Sequence, residues 1–292
     1  MKGKGFIDRH YKWVYTLPAL FFVLILMVFP VCYTFGLSFT DWTLTSGKSI
    51  SFTGLKSYIT VLQEPRFWDA FKRTLEFTFW AVLFEVVLGI IIALLLNKQF
   101  KGKGIAKTLL LLPLVATPVA IGIVWTLFYD PTIGFLNYCL NLLGLPQSGW
   151  HTDAATVMPS LILVDVWQWT PMITIMVLAG LSGLSDEPYE SATVDGANAW
   201  QILRHITLPM LMPTILTATV LRLIEALKTY DIIYSMTQGG PGYASETLNL
   251  LAYKYSFEYF RMGQSSVMLV FLFILVLVFS LAVMRIRKAT EV

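Results

Sequence analysis

Six stretches of this chain, residues 17–39, 77–96, 108–129, 157–181, 206–236 and 266–284, are dominated by apolar side chains. A hydrocarbon core about 30 Å thick needs about 20 apolar residues when the backbone is helical. Each stretch is about that long. Lipid offers the backbone no hydrogen-bond partners, so helices are the natural spanning element. Composition agrees, with 56% hydrophobic and only 13% charged residues, where an ordinary soluble domain carries roughly 25% charged. The 292 residues therefore predict an all-α polytopic membrane protein, a single transmembrane domain over 1–292 with short loops. The first stretch is expected not to be a cleavable signal peptide. It lacks a small-residue cleavage site and outruns the apolar core of such peptides, roughly 7–15 residues.

Charge orients the spans, because cytoplasmic loops carry an excess of Lys and Arg. With the N-terminus inside, the inner side holds twelve: Lys2, Lys4, Arg9, Lys12, Lys98, Lys101, Lys103, Lys107, Arg204, Arg285, Arg287 and Lys288. The outer side or its boundary holds seven: Lys48, Lys56, Arg66, Lys72, Arg73, Lys254 and Arg261. Both termini are thus expected in the cytoplasm. Trp13, Tyr15, Trp125 and Tyr129 flank spans and read as interfacial anchors. Between spans, 52–71 resembles a small amphipathic helix on the outer face, 134–144 another short helix, and "TQGGPGYASET" a turn. Cys32 lies in the first apolar run and Cys139 in a loop, so no disulfide is expected between them. The net charge of +3 gives no sign of nucleic-acid binding.

The segment 183–213, "GLSDEPYESATVDGANAWQILRHITLPMLMP", is polar and falls inside. Ser185 or Asp186 can cap a helix with Pro188 in its first turn. Glu187 and Glu190 complement the dipole there. Gly196 permits a sharp turn, and Ala199, Trp200, Leu203 and Ile206 share a face of a second helix. Small side chains at Ser191, Ala192, Ala197 and Ala199 let another surface come near. On these grounds alone, an amphipathic linker packed under the bundle is equally compatible.

Glu190-Ser191-Ala192, Asp195-Gly196-Ala197 and Ile206-Thr207-Leu208-Pro209 together resemble the EAA loop of ABC-importer permeases. Ser191 stands where the family pattern has alanine. With six spans and "MTQGGPG" after the fifth, the chain is similar to the carbohydrate (MalF/UgpA-like, binding-protein-dependent) branch. The resemblance implies a coupling loop over 183–209, with Glu190, Ser191, Ala192, Asp195, Gly196, Ala197, Leu208 and Pro209 at the ATPase interface. It implies a second homologous permease subunit, a dimer of cytoplasmic ABC ATPase subunits and an extracytoplasmic solute-binding protein. ATP and Mg would bind the ATPase partners, with no cofactor, metal or catalytic residue in this chain. The expected place is a bacterial or archaeal cytoplasmic membrane.

Ionisable residues within spans are costly and face a bundle interior or an aqueous cavity. Glu85 and Asp165 are two, and Arg222, Glu225, Lys228 and Asp231 alternate in sign along span five. They form either a self-neutralising ladder beside a partner subunit or part of the pathway wall. In the second reading Asp165, Glu225 and Asp231 accept sugar hydroxyls, with Trp167, Trp169 and Tyr230 as aromatic faces. The two tryptophans lie about 200° apart on a helix, so at most one meets the substrate. A polyhydroxylated neutral ligand suits mixed charges, while an anionic sugar could pair with Arg222 or Lys228. Gly239-Gly240-Pro241-Gly242 lacks the Lys-Ser/Thr ending of a nucleotide loop and reads as an outer turn touching the binding protein.

Two other classes remain. A self-contained ion-coupled transporter could use Asp165 or Glu225 as a proton relay, but the paired, Gly/Pro-broken repeats common in such proteins are not evident. A membrane enzyme finds no Ser/His/Asp set and no metal-type cluster, since His10, His151 and His205 are far apart.

Overall fold

A computed structural model describes residues 6–47 and 49–290. Lys2, Lys4 and Lys48 of the charge count lie outside the described residues. Among the described residues five helices are long and apolar enough to cross a membrane, and a bent pair makes six if counted as one span. Among the described residues the only strand-like pairing is an isolated bridge between Thr40 and Phe52.

The chain divides into two compact units. In the first, residues 1–65 with 251–271, α1 (Phe6–Val23) runs through a π-helical turn (Leu24–Val28) into α2 (Phe29–Ser38). Together they form the span Tyr15–Ser38, whose apolar window buries no residue. The chain then folds back through α3 (Lys56–Leu62). Ser57 donates to the Thr40 carbonyl at 2.6 Å, and the Gly263 amide donates to Trp42 at 3.1 Å. A side chain at Gly263 would strike the Thr40 carbonyl, so the residue has to be glycine for this approach. Tyr255 of α13 (Leu248–Phe257) donates its hydroxyl to Glu64 at 2.6 Å.

The second unit, 66–250 with 272–292, contains nearly all of α4 (Pro65–Asn97) and the C-terminal part of α14 (Met262–Thr290). The expected surface helix over 52–71 is not one element. Pro65 opens α4 at a position where its missing N–H is no loss, and residues from there on continue into span two. The expected single helix over 108–129 is likewise broken. α5 (Lys103–Val115) and α6 (Pro118–Phe128) meet at 101°. Ala116 and Thr117 between them are extended, as the clash of a proline ring with the preceding residue favours. The short helix α7 (Phe135–Leu142) forms where 134–144 suggested one.

α8 (Val157–Ser182) and α11 (Leu208–Leu227) then enclose a core with α4, built from Ala93, Ile173, Val177, Leu181, Leu211, Ile215 and Ala218. Span five stops earlier than expected, at Leu227, and Asp231 begins a separate helix, α12 (Asp231–Thr237). Tyr129 is no surface anchor. It is fully buried, stacks on Trp150 and donates to the Ser160 carbonyl at 3.0 Å. Trp13 and Tyr15 are exposed, as interface anchors are.

Helices in lipid associate through close packing rather than water exclusion, so small residues mark the contacts. A methyl group on Gly89 would lie 2.6 Å from Ile173 Cγ2, which shows how near α4 comes to α8. Gly89→Ala should therefore cost about 1–3 kcal/mol through overpacking, read as a lowered unfolding midpoint in detergent. Gly36→Ala is the control, because nothing lies within 4 Å of the added carbon. Equal midpoints for the two variants would contradict so tight a contact.

Candidate functional site

The loop after α8 forms a helix, a turn and a helix. Asp186 occupies the N-cap position of α9 (Glu187–Val194) without a side-chain bond, and Pro188 sits in the first turn. Glu187 and Glu190 are in that turn as well. Gly196 has φ +76°, a left-handed conformation that glycine adopts without strain. The second helix, α10 (Ala199–Ile202), starts with a capping box. Asn198 accepts from the Trp200 and Gln201 amides at 3.1 and 3.0 Å, and Gln201 accepts from the Asn198 amide at 2.8 Å. An acceptor three residues before Gln is a readable signature, although a cap was expected only for the first helix, from Ser185 or Asp186.

α10 is not a free-standing helix. A π-helical turn (Leu203–Thr207) carries it into α11, making one span, Ala199–Leu227. Ala192 is buried and Tyr189 donates to Thr207 at 3.2 Å, so α9 is tied to the base of that span. Ser191, Glu190, Asp195 and Gly196 are exposed, Ala197 is half-buried, Leu208 packs against the core and Pro209 is exposed. Trp200 departs from the expected shared face. It is 66% exposed and Val194 87%, while Leu203 and Ile206 are half-buried. Above the loop a cleft of about 770 Å³ opens between Leu95, Lys98, Leu184 and Ile202. The linker alternative is met only in part, since the loop is tethered but presents apolar side chains outward.

The intramembrane charges do not form a ladder along one helix. Arg222 of α11 points its Nε at Glu85 of α4, 2.6 Å away, and its terminal nitrogen at Asp165 of α8. All three side chains are at most 1% exposed. Burying a charge is tolerable only with a well-placed partner, and here three helices supply one cluster. Glu225 pairs instead with Lys228 at 3.1 Å on an exposed surface. Beside the cluster, Asp165, Trp169, Arg222, Glu225, Lys228, Tyr230 and Asp231 line a cavity of about 110 Å³. Trp169 lies under the guanidinium, 5.2 Å from Cζ to ring centre. Trp167 is not in this wall. It meets Trp125 edge-on at 5.5 Å, in keeping with the opposite helix faces expected for the two tryptophans.

The glycine-rich turn has its own support. Gly239 and Gly242 take positive φ values of 87° and 57°, and Ser245 donates to the Gly240 carbonyl at 2.6 Å. Next to it Arg66, in the first turn of α4, makes a forked pair with the fully buried Glu246 at 2.6 and 2.8 Å. Its guanidinium stacks on Tyr243 at 3.9 Å. Such a forked pair holds geometry as well as charge. Arg66, Tyr243 and Glu246 carry no local motif, and the ion pair joins residues 180 positions apart.

Arg222→Met would leave two buried carboxylates without their cation, at a cost of about 3–5 kcal/mol. The triple variant Glu85→Gln, Asp165→Asn, Arg222→Met should recover most of it, because no charge is then stranded. Thermal unfolding of the two variants in detergent checks this, and a single variant as stable as wild type would refute the cluster.

Residues 85–291 match the family described as binding-protein-dependent transport system inner membrane component. A probable ABC transporter permease, y4oQ, of Sinorhizobium fredii is 40% identical over 253 residues, covering 86% of this chain and 82% of its own. The trehalose/maltose transport system permease protein MalF of Thermococcus litoralis is 35% identical over 276 residues, 93% and 92% of the two chains. In three dimensions the chain superposes on a bacterial alginate ABC transporter solved with its alginate-bound periplasmic protein. The TM-score is 0.84 at 25% identity, covering 98% of this chain and 97% of the other. None of these likenesses favours an ion-coupled transporter. The apolar spans are those of a multi-pass membrane protein, and the chain is an ABC-importer permease of the binding-protein-dependent transport system inner membrane component family.

Proposed function

We propose that this permease forms one half of the translocation pathway of an importer for a sugar or sugar derivative, and that 183–209 is its coupling element. The observation that carries the coupling role is the continuity of Ala199–Leu227. A push on α10 is delivered along the same helix to Arg222, about 35 Å away at ~1.5 Å per residue. α9, hinged at Gly196 and tied back through Tyr189, widens the surface that receives the push. Exposed Val194 and Trp200 lie on the two helices that flank Gly196 and offer apolar area for a protein partner to cover.

In this reading Glu190, Ser191, Ala192, Asp195, Gly196, Ala197, Leu208 and Pro209 face or support a cytoplasmic ATPase subunit. Both termini and the loop lie in the cytoplasm, as the Lys/Arg distribution favours. ATP and Mg bind the ATPase dimer, so this chain carries out no chemistry of its own. A second permease subunit completes the pathway. The turn at Gly239, Gly240, Pro241 and Gly242 meets the extracytoplasmic binding protein, held in place by Arg66 and Glu246. The sugar class is supported by the relative named for trehalose and maltose. It is supported also by the cavity, where Trp169 and Tyr230 offer ring faces and Asp165, Glu225 and Asp231 offer acceptors.

Gly196→Pro forbids the positive φ, and Glu190→Lys reverses charge at the start of α9. Both variants should lose co-purification of the ATPase while retaining normal helicity by circular dichroism. Uptake by the chain alone, driven by a proton gradient without ATP, would overturn the proposal. Deleting Gly239 and Gly240 should impair binding-protein-dependent uptake while the ATPase stays bound; full uptake would remove the contact role of that turn.

A further inference from the structure

We infer that the cavity beside Arg222 favours uncharged polyhydroxylated ligands and disfavours anionic ones. This rests on the pathway reading above and specifies its substrate class. Both cations that could greet an anion are engaged. Arg222 is 1% exposed and held between Glu85 and Asp165. Lys228 sits 3.1 Å from Glu225, and turning it toward an anion would uncover that carboxylate. Asp231, exposed at the start of α12, adds a third carboxylate to the cavity wall, after Asp165 and Glu225. With Glu85 behind Arg222, four carboxylates stand against two cations. No hydrogen-bond donor reaches Asp165 Oδ1, although the residue is 1% exposed and lines the cavity.

Hydroxyl groups suit such a wall, because each can donate to a carboxylate that lacks a donor. A carboxylate or sulfate on the sugar would instead meet like charge in a partly dry space, where repulsion is poorly screened. Trp169 and Tyr230 add ring faces, which pack on sugar carbons regardless of charge. The importer that shares this fold carries the acidic polysaccharide alginate. Charge preference is thus set by local side chains and not by the fold.

The field in the cavity can be read without knowing the ligand. In the assembled transporter, with Cys32→Ser and Cys139→Ser, Thr229→Cys places a single thiol in the cavity wall. A cationic thiosulfonate reagent should label it at least tenfold faster than an anionic reagent of equal size, relative to an exposed control thiol. Glu225→Gln with Asp231→Asn should bring that ratio down to the control value. Equal rates, or faster labelling by the anion, would overturn the inference alone. Trapping the assembly with ATP and vanadate should change the labelling rate severalfold, as alternating access requires. An unchanged rate would remove the cavity from the pathway, and the inference would fall with that reading.

Discussion

Arg222 is held by carboxylates on two other helices, Glu85 on α4 and Asp165 on α8, with all three side chains buried. Each charge would be prohibitively costly there by itself, so the three groups constrain one another. Because each sits on a different helix, the cluster sets both the depth and the rotation of α11. With Arg222 turned inward, Glu225 and Lys228 follow at successive helical neighbours and come to the cavity rim. The polar stripe therefore has two functions in sequence. Its first member locks the bundle, and its later members remain accessible.

The helix that carries the lock also reaches back into the polar segment 183–209. α10 and α11 form one rod from Ala199 to Leu227, and that rod carries Arg222 near its far end. From Ala199 to Arg222 the path to the cluster is therefore helical throughout. The π-helical turn at Leu203–Thr207 and Pro213 inside α11 are irregularities on the way, and Tyr189 braces the first through Thr207. On the opposite end of the unit's chain, Arg66 and Glu246 hold the glycine turn in a comparable manner. Two buried or half-buried arginine pairs thus position the two surfaces proposed to meet partners or ligand.

Much of this was legible before any coordinates. Hydropathy is a local property: the spans at 157–181 and 266–284 lie within single helices, and that at 17–39 corresponds to Tyr15–Ser38. The helix–turn–helix form of the loop was legible because Pro188, the small residues and Gly196 are local as well, while the capping box at Asn198 went unread. Less legible were the breaks. Thr117-Pro118 signals an interruption of span three, yet the apolar content on both sides is continuous and favours one helix. At Lys228–Tyr230 nothing but the folded chain explains the early stop.

The sequence by itself determined the class of protein, the position of its apolar segments and the helix–turn–helix form of 183–209. Those follow from run length, capping chemistry and a glycine at a positive φ, all readable within a few residues. Only the tertiary structure decided that Arg222 serves Glu85 and Asp165 and not Glu225, that Trp169 and not Trp167 lines the cavity, and that Arg66 anchors the glycine turn. These are choices of partner between residues as much as 180 positions apart. Each is settled by the relative rotation of packed helices, a quantity that a hydrophobic run, being apolar on every face, does not encode.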